Sequence, residues 1–295
     1  MNIQWFPGHI ARARREIKDH LKYVDIVIEV IDARCPMSSI NFLSEDIKSK
    51  LHLVILNKID LVNEYDLVKF INWLKDDVKK SVGNLKEFGI VLLDSRNNNI
   101  KRIVDREIDR LCNEIINNAK DKGIVNRQLK AMVVGMPNVG KSTFINSYVK
   151  KKVNNVANTP GVTKNLQWAK ISDKLLLLDT PGVTIPKFED ENSGINLAFV
   201  GSINDDIVEK QELAFELIKK VKDRYFEDLS IRYKLKDTNK ESECIDIINE
   251  IAKNIVSFKK GGDIDYEKVS NIIINDFRKG YIGKIFLEWD YDYNR

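Results

Sequence analysis

Residues Gly135-Met136-Pro137-Asn138-Val139-Gly140-Lys141-Ser142 match the pattern G-x-x-x-x-G-K-[ST], with Thr143 following. The chemistry of such a loop is phosphate binding. Its glycines let backbone N–H groups converge on a β-phosphate, and a helix beginning behind it adds the positive end of its dipole. Pro137, Asn138, Val139, Gly140, Lys141, Ser142 and Thr143 are therefore phosphate-binding candidates. Lys141 would reach the β- and γ-phosphates, and the Ser142 hydroxyl would ligate Mg²⁺. An apolar run before the loop and a helix-compatible segment, Ser142–Tyr148, after it supply the context the motif requires.

About forty residues on, the apolar run Leu175–Leu178 leads into Asp179-Thr180-Pro181-Gly182, a D-x-x-G element. Asp179 would hold Mg²⁺ through a water, and the Gly182 N–H would meet the γ-phosphate. Loss of that phosphate would release the loop. Between the two motifs lies Thr159-Pro160-Gly161-Val162-Thr163, where Thr163 can supply a second hydroxyl to Mg²⁺. Lys141, Thr163 and Gly182 would thus surround the phosphoryl group that is transferred.

Asn57-Lys58-Ile59-Asp60 reads as a guanine-recognition element. The Asp60 carboxylate accepts from both N1–H and the 2-amino group of guanine. Adenine would oppose it with a bare acceptor, at a cost of kilocalories. Asn57 can donate to N7 and tie this element to the phosphate loop, while the Lys58 stem covers a ring face. Ser95 and Arg96, after another apolar run, stand where a backbone N–H would meet guanine O6.

These side chains need a scaffold that brings strand ends together. Ile26–Ile31, His52–Leu56, Gly89–Leu93, Ala131–Val134 and Leu175–Leu178 are short apolar runs of the kind that form buried parallel strands. Tyr65–Val82 and Ile100–Asn118 carry apolar residues at helical spacing and read as crossover helices. From about Asp205 the pattern turns helical, over Asp205–Arg224, Glu241–Val256 and Tyr266–Arg278. The expectation is an α/β domain over 1–204 and a small helical domain over 205–295, with Tyr225, Phe226, Phe258 and Phe277 in the helical core.

A formal charge of +4 over 295 residues conceals an imbalance. Residues 120–170 carry ten lysines and arginines against the single acid Asp121, while residues 171–295 carry 19 against 25. The basic stretch suits an anionic partner. Lys150-Lys151-Lys152, Lys164 and Lys170, with Trp168 nearby, would offer an RNA surface, although Trp168 also suits a core position. Cys35, Cys112 and Cys244 show neither metal-ligand nor redox spacing, which fits a reduced interior. No secretory signal or membrane-length apolar run is present in the sequence, so a soluble, cytoplasmic protein is expected.

The order of motifs is unusual. Asn57-Lys58-Ile59-Asp60 and Ser95 precede the phosphate loop, so the usual arrangement can be kept only if the chain is circularly permuted. In this order the motifs resemble those of the circularly permuted GTPases of ribosome assembly. The resemblance also covers Trp5-Phe6-Pro7-Gly8-His9, Asp32-Ala33-Arg34, Gln167-Trp168, Pro186-Lys187-Phe188-Glu189-Asp190 and Asp276-Phe277-Arg278-Lys279-Gly280. It implies a permuted Ras-like domain with a mainly parallel sheet and a helical C-terminal domain. It also implies a factor for late assembly of the large (50S) ribosomal subunit, contacting rRNA and ribosomal proteins and stimulated by the particle. Such a chain would be monomeric off the ribosome.

Val183 stands where Ras-like enzymes orient water with glutamine, so hydrolysis by the isolated chain should be slow. The resemblance nominates His9, near Arg12, Arg14 and Arg15, as the catalytic substitute. A histidine beside arginines also suits an RNA-backbone contact. Asn138 resembles an asparagine that related GTPases use with K⁺. A second reading is a signalling or membrane-associated GTP switch whose acidic helical tail binds a protein.

Overall fold

The computed structural model describes residues 19–40, 50–82, 88–97, 99–149, 155–156, 168–178 and 191–289. Its centre is a seven-stranded sheet in the order β3-β2-β1-β4-β7-β6-β5. The strands are β1 (Ile26–Asp32), β2 (Leu51–Asn57), β3 (Phe88–Leu93), β4 (Leu129–Val134), β5 (Asn155–Val156), β6 (Trp168–Lys170) and β7 (Leu175–Leu178). All five expected strands form, and these five run parallel. The hairpin of β5 and β6 adds an antiparallel edge beside β7.

The apolar runs form strands because both faces of the sheet are covered. On one face Ile26, Ile28, Val30, Leu53 and Ile55 join Val104 and Ile108 of α3 (Ile100–Leu111) and Phe144 of α5 (Lys141–Val149). On the other, Ile31, Val54 and Leu56 pack against Leu67, Phe70, Leu74 and Val78 of α2 (Glu64–Val82). Alternate residues of β1 thus serve opposite cores, as the period-two pleat requires. A short helix, α1 (Pro36–Ser39), follows β1. The helix expected over Ile100–Asn118 is broken: α3 stops at Leu111, Cys112 sits at φ −90°, ψ 8°, and α4 (Asn113–Asp121) restarts.

Helices follow the sheet: α6 (Glu191–Phe199) and then, beyond residue 205, α7 (Lys210–Tyr233), α8 (Cys244–Asn254) and α9 (Tyr266–Lys279). The helix expected from Asp205 begins instead as a 3-10 turn, Asp205–Ile207. Helix α7 starts after it, where the Glu209 carboxylate accepts from the Gln211 and Glu212 N–H groups. Tyr225 and Phe277 are buried as expected, but Phe258 is 41 % exposed, on the loop after α8. Leu217, Ile247, Ile251 and Ile273 continue the core that contains Ile28 and Phe144.

Beyond α9 the chain returns to the sheet. Ile285 N–H donates to the Leu61 carbonyl (3.0 Å) and Leu287 N–H to that of Arg34 (2.8 Å). The Glu288 carboxylate accepts from the Met37 and Ser38 N–H groups and the Ser38 hydroxyl at 2.6–2.8 Å. It occupies the N-terminus of α1, where exposed donors favour an acceptor.

Candidate nucleotide site

Parallel strands deliver their C-terminal ends to one edge of a sheet, and the loops after β1, β2, β3 and β4 meet there. The loop after β4 is Gly135–Gly140. Gly135 has φ 146°, and a Cβ on it would lie 2.2 Å from the Val30 carbonyl oxygen. Gly140 has φ 99°, with its would-be Cβ 2.2 Å from Asn57 Nδ2. Both positions therefore require glycine. The Gly140 carbonyl accepts from Phe144 N–H at 2.8 Å, starting α5 directly behind the loop. Ser142 and Thr143 are exposed on its first turn.

Lys141 Nζ lies along the loop, donating to the carbonyls of Gly135 (2.8 Å) and Met136 (2.6 Å). Burial pushes its ammonium down to about 8. A phosphate anion would reverse that cost by pairing with the charge. The Asn138 amide donates to the Gly201 carbonyl at 2.6 Å, fastening the loop to the turn after α6.

The loop after β2 is tied to the phosphate loop across 82 residues of sequence. Asn57 Nδ2 donates to the Val139 carbonyl (2.8 Å), while Asn57 Oδ1 accepts from Ser95 N–H (3.0 Å) and the Ser95 hydroxyl (2.7 Å). Three loops thus converge on one buried amide. Of the backbone N–H groups of the segment expected to meet guanine O6, that of Ser95 donates to Asn57 and that of Arg96 donates to Asp94 at 3.0 Å. A base would have to share or displace one of these bonds. Lys58, in the left-handed region at φ 63°, sends Nζ to the Asn138 carbonyl (2.6 Å) and Asp32 (2.8 Å). Asp60 pairs with the Arg96 guanidinium, which also chelates Asp94. Those bonds, from Asp94 first and then the Asp60 charge, hold the guanidinium pKa above its ordinary value.

These groups border a cavity of about 440 Å³. Asn57, Lys58, Asp60, Ser95, Arg96, Gly140 and Thr143 contribute to its walls, as do Arg278, Lys279 and Tyr281 from the end of α9. The expected base-binding residues are therefore brought together with Gly140 and Thr143 of the expected phosphate-binding set, despite their inverted order, while Pro137, Asn138, Val139, Lys141 and Ser142 do not border this cavity. His9, Thr163, Asp179 and Gly182 lie outside the described residues, as do Val183 and Lys150 to Lys152. Lys164 lies outside them too, whereas Lys170 is paired with Asp173 at 2.7 Å.

One buried pair beside the site carried no chemical role in the sequence. Asp32 and Arg34 are buried and joined by two bonds, Nε to Oδ1 (2.9 Å) and Nη2 to Oδ2 (2.8 Å). Arg34 Nη1 also reaches the Phe277 and Arg278 carbonyls at 3.4 and 3.3 Å. Burial opposes charge on Asp32, but Arg34 and Lys58 overcome it and hold the carboxyl well below the usual range. The signal available was a charged pair two residues apart, ending an otherwise apolar strand.

Residues 130–255 match the 50S ribosome-binding GTPase family. The chain is 39 % identical over 289 residues to Ribosome biogenesis GTPase A of Bacillus licheniformis, covering 98 % of each chain. It is 32 % identical to Mitochondrial ribosome-associated GTPase 1 of Ictalurus punctatus, covering 96 % of this chain and 92 % of that one. The chain belongs to the ribosome biogenesis GTPase A family. The crystal structure of GNP-bound YlqF from T. maritima aligns with a TM-score of 0.65 at 23 % identity, covering 95 % and 99 % of the two chains. That likeness establishes the fold: a circularly permuted GTPase domain followed by helices. As a ribosome biogenesis GTPase A family member, the chain is a GTP-hydrolysing enzyme. Among the described residues, no helix is long and apolar enough to cross a membrane.

Proposed function

We propose that the chain is a particle-activated GTPase acting late in assembly of the large ribosomal subunit, where it contacts rRNA and ribosomal proteins. The observation that carries this reading is the convergence of Asn57, Ser95 and the phosphate loop on shared hydrogen bonds, in a chain whose relatives bear ribosome-assembly names. Asp60 selects guanine, while Lys141 and the Gly182 N–H take the γ-phosphate. Ser142, Thr163 and Asp179 form an all-oxygen set suited to Mg²⁺. Ser142 fits that role by its exposed place on the first turn of α5. When bound, Mg²⁺ would neutralise charge on the β- and γ-phosphates.

His9 is the proposed substitute for the missing glutamine, and Asn138 the proposed K⁺ ligand. Residues 1–204 form the GTPase unit and 205–295 the helical unit whose position responds to nucleotide. The protein acts in the cytoplasm and is monomeric off the particle. Co-sedimentation with 50S subunits at low salt tests the assembly role: retention with a GTP analogue exceeding that with GDP is expected, and absence from the 50S fraction in both states refutes it. Particle-stimulated turnover of His9→Ala at unchanged GTP affinity tests the catalytic assignment, which retained stimulation would exclude.

A further inference from the structure

The end of α9 enters the nucleotide cavity from the far end of the sequence. Arg278 anchors it, donating to the carbonyls of Phe199 (3.0 Å) and Ala198 (2.9 Å) and to both carboxylate oxygens of Asp205 (2.9 and 2.8 Å). Gly280 then packs on Leu61, the residue closing the 3-10 turn that carries Asp60. At φ 76° a Cβ on Gly280 would stand 2.5 Å from Leu61 Cδ2. With the Ile285 bond to the Leu61 carbonyl, this makes the base loop and the end of α9 one braced unit.

Tyr281 is the sole aromatic ring among the described residues that line the cavity, whose other lining residues, Leu61 and Gly140 apart, carry polar or charged side chains. It is 57 % exposed, so its ring is not part of the helical core. Arg232 lies 5.3 Å and Lys279 Nζ 5.9 Å from the ring centroid, and Arg232 is itself fixed by Asp276 at 2.9 Å. A purine offers an extended π-face that hydrogen-bonding groups at its edge leave uncovered, and an aromatic wall supplies the missing contact. We infer that Tyr281 stacks on the bound guanine, so that the C-terminal helical unit contributes directly to nucleotide affinity. This rests on reading the cavity as the guanine site. Stacking is indifferent to purine identity, so Tyr281 sets affinity while Asp60 sets base choice.

The test is GDP titration of the full chain in its wild-type form and as Tyr281→Ala, Tyr281→Phe and Asp60→Ala, with thermal unfolding of each. Tyr281→Ala should weaken GDP about five- to tenfold at unchanged Tm. Tyr281→Phe should bind like wild type, and competition by magnesium pyrophosphate, which has no base, should be the same in all. Wild-type GDP affinity in Tyr281→Ala, alongside loss in Asp60→Ala, would overturn the stacking role alone. Equal losses in the alanine and phenylalanine variants, or a parallel loss of pyrophosphate, would also overturn it. GDP affinity unaffected by Asp60→Ala would remove the guanine-site reading and the stacking role together.

Discussion

The Asn57 amide donates to the Val139 carbonyl over 2.8 Å, and this bond joins base recognition to phosphate binding in a chain that encodes them in reverse order. Asn57→Ala would leave the Val139 carbonyl, Ser95 N–H and Ser95 hydroxyl without this partner in a buried position. Destabilisation of about 2–4 kcal/mol is expected, with GDP affinity falling at least about tenfold. Urea unfolding and GDP titration measure the two effects. Gly140→Ala should be as damaging, because its Cβ would collide with Asn57 Nδ2 at 2.2 Å.

Arg34 neutralises Asp32 beneath the base loop. Arg34→Met should destabilise by about 2–4 kcal/mol, because the buried Asp32 carboxylate loses its two-bond partner and keeps Lys58 at 2.8 Å. The double variant Asp32→Asn, Arg34→Met should recover part of that loss. The lowered Asp32 pKa also has a pH signature: its stabilisation is complete above the ordinary carboxylate range and disappears as pH falls below it. Denaturant titrations from pH 3 to 7 should show a shallower acid limb in the double variant.

Lys141 is held at about 8 by burial. Binding of Mg·GDP sets a phosphate against the ammonium and raises that value, so binding should take up close to one proton at about pH 9 and little at pH 7. Calorimetry in two buffers of different ionisation enthalpy reads the uptake directly. Identical heats at both pH values would contradict the assignment.

Glu288 is buried, and burial raises its carboxyl to about 7 against the pull of the Ser38 and Met37 donors. A raised acid binds more protons in the folded than in the unfolded chain between about 4.5 and 7. Its contribution is therefore full below the unfolded value and is lost as pH rises through about 7, on the order of 3 kcal/mol. Glu288→Gln should flatten the pH dependence of Tm across that window.

The parts of the site that depend on neighbouring residues were legible in the sequence. Asn57, Lys58 and Asp60 follow one apolar run, Gly140 and Lys141 another, and each run became a strand because its burial on both faces leaves no alternative. The bonds of Ser95 to Asn57 were less accessible, since a serine after a strand also suits a simple turn. Arg34 and Glu288 were beyond reach for a different reason: their partners lie some 240–250 residues away. The β5–β6 hairpin was missed because strands of two and three residues carry no usable alternation. The break at Cys112 was missed because apolar periodicity continues across it.

The Arg34 bonds to the Phe277 and Arg278 carbonyls impose an order of events during synthesis. The first strand is made early, but the residues that lock the loop behind it are translated some 243 positions later. At cellular elongation speeds that delay is about 10–50 s. Through this interval the chain has its guanine-reading residues but not the helix end that braces them. Competence to bind nucleotide should therefore arise late, after most of the protein has left the ribosome that makes it.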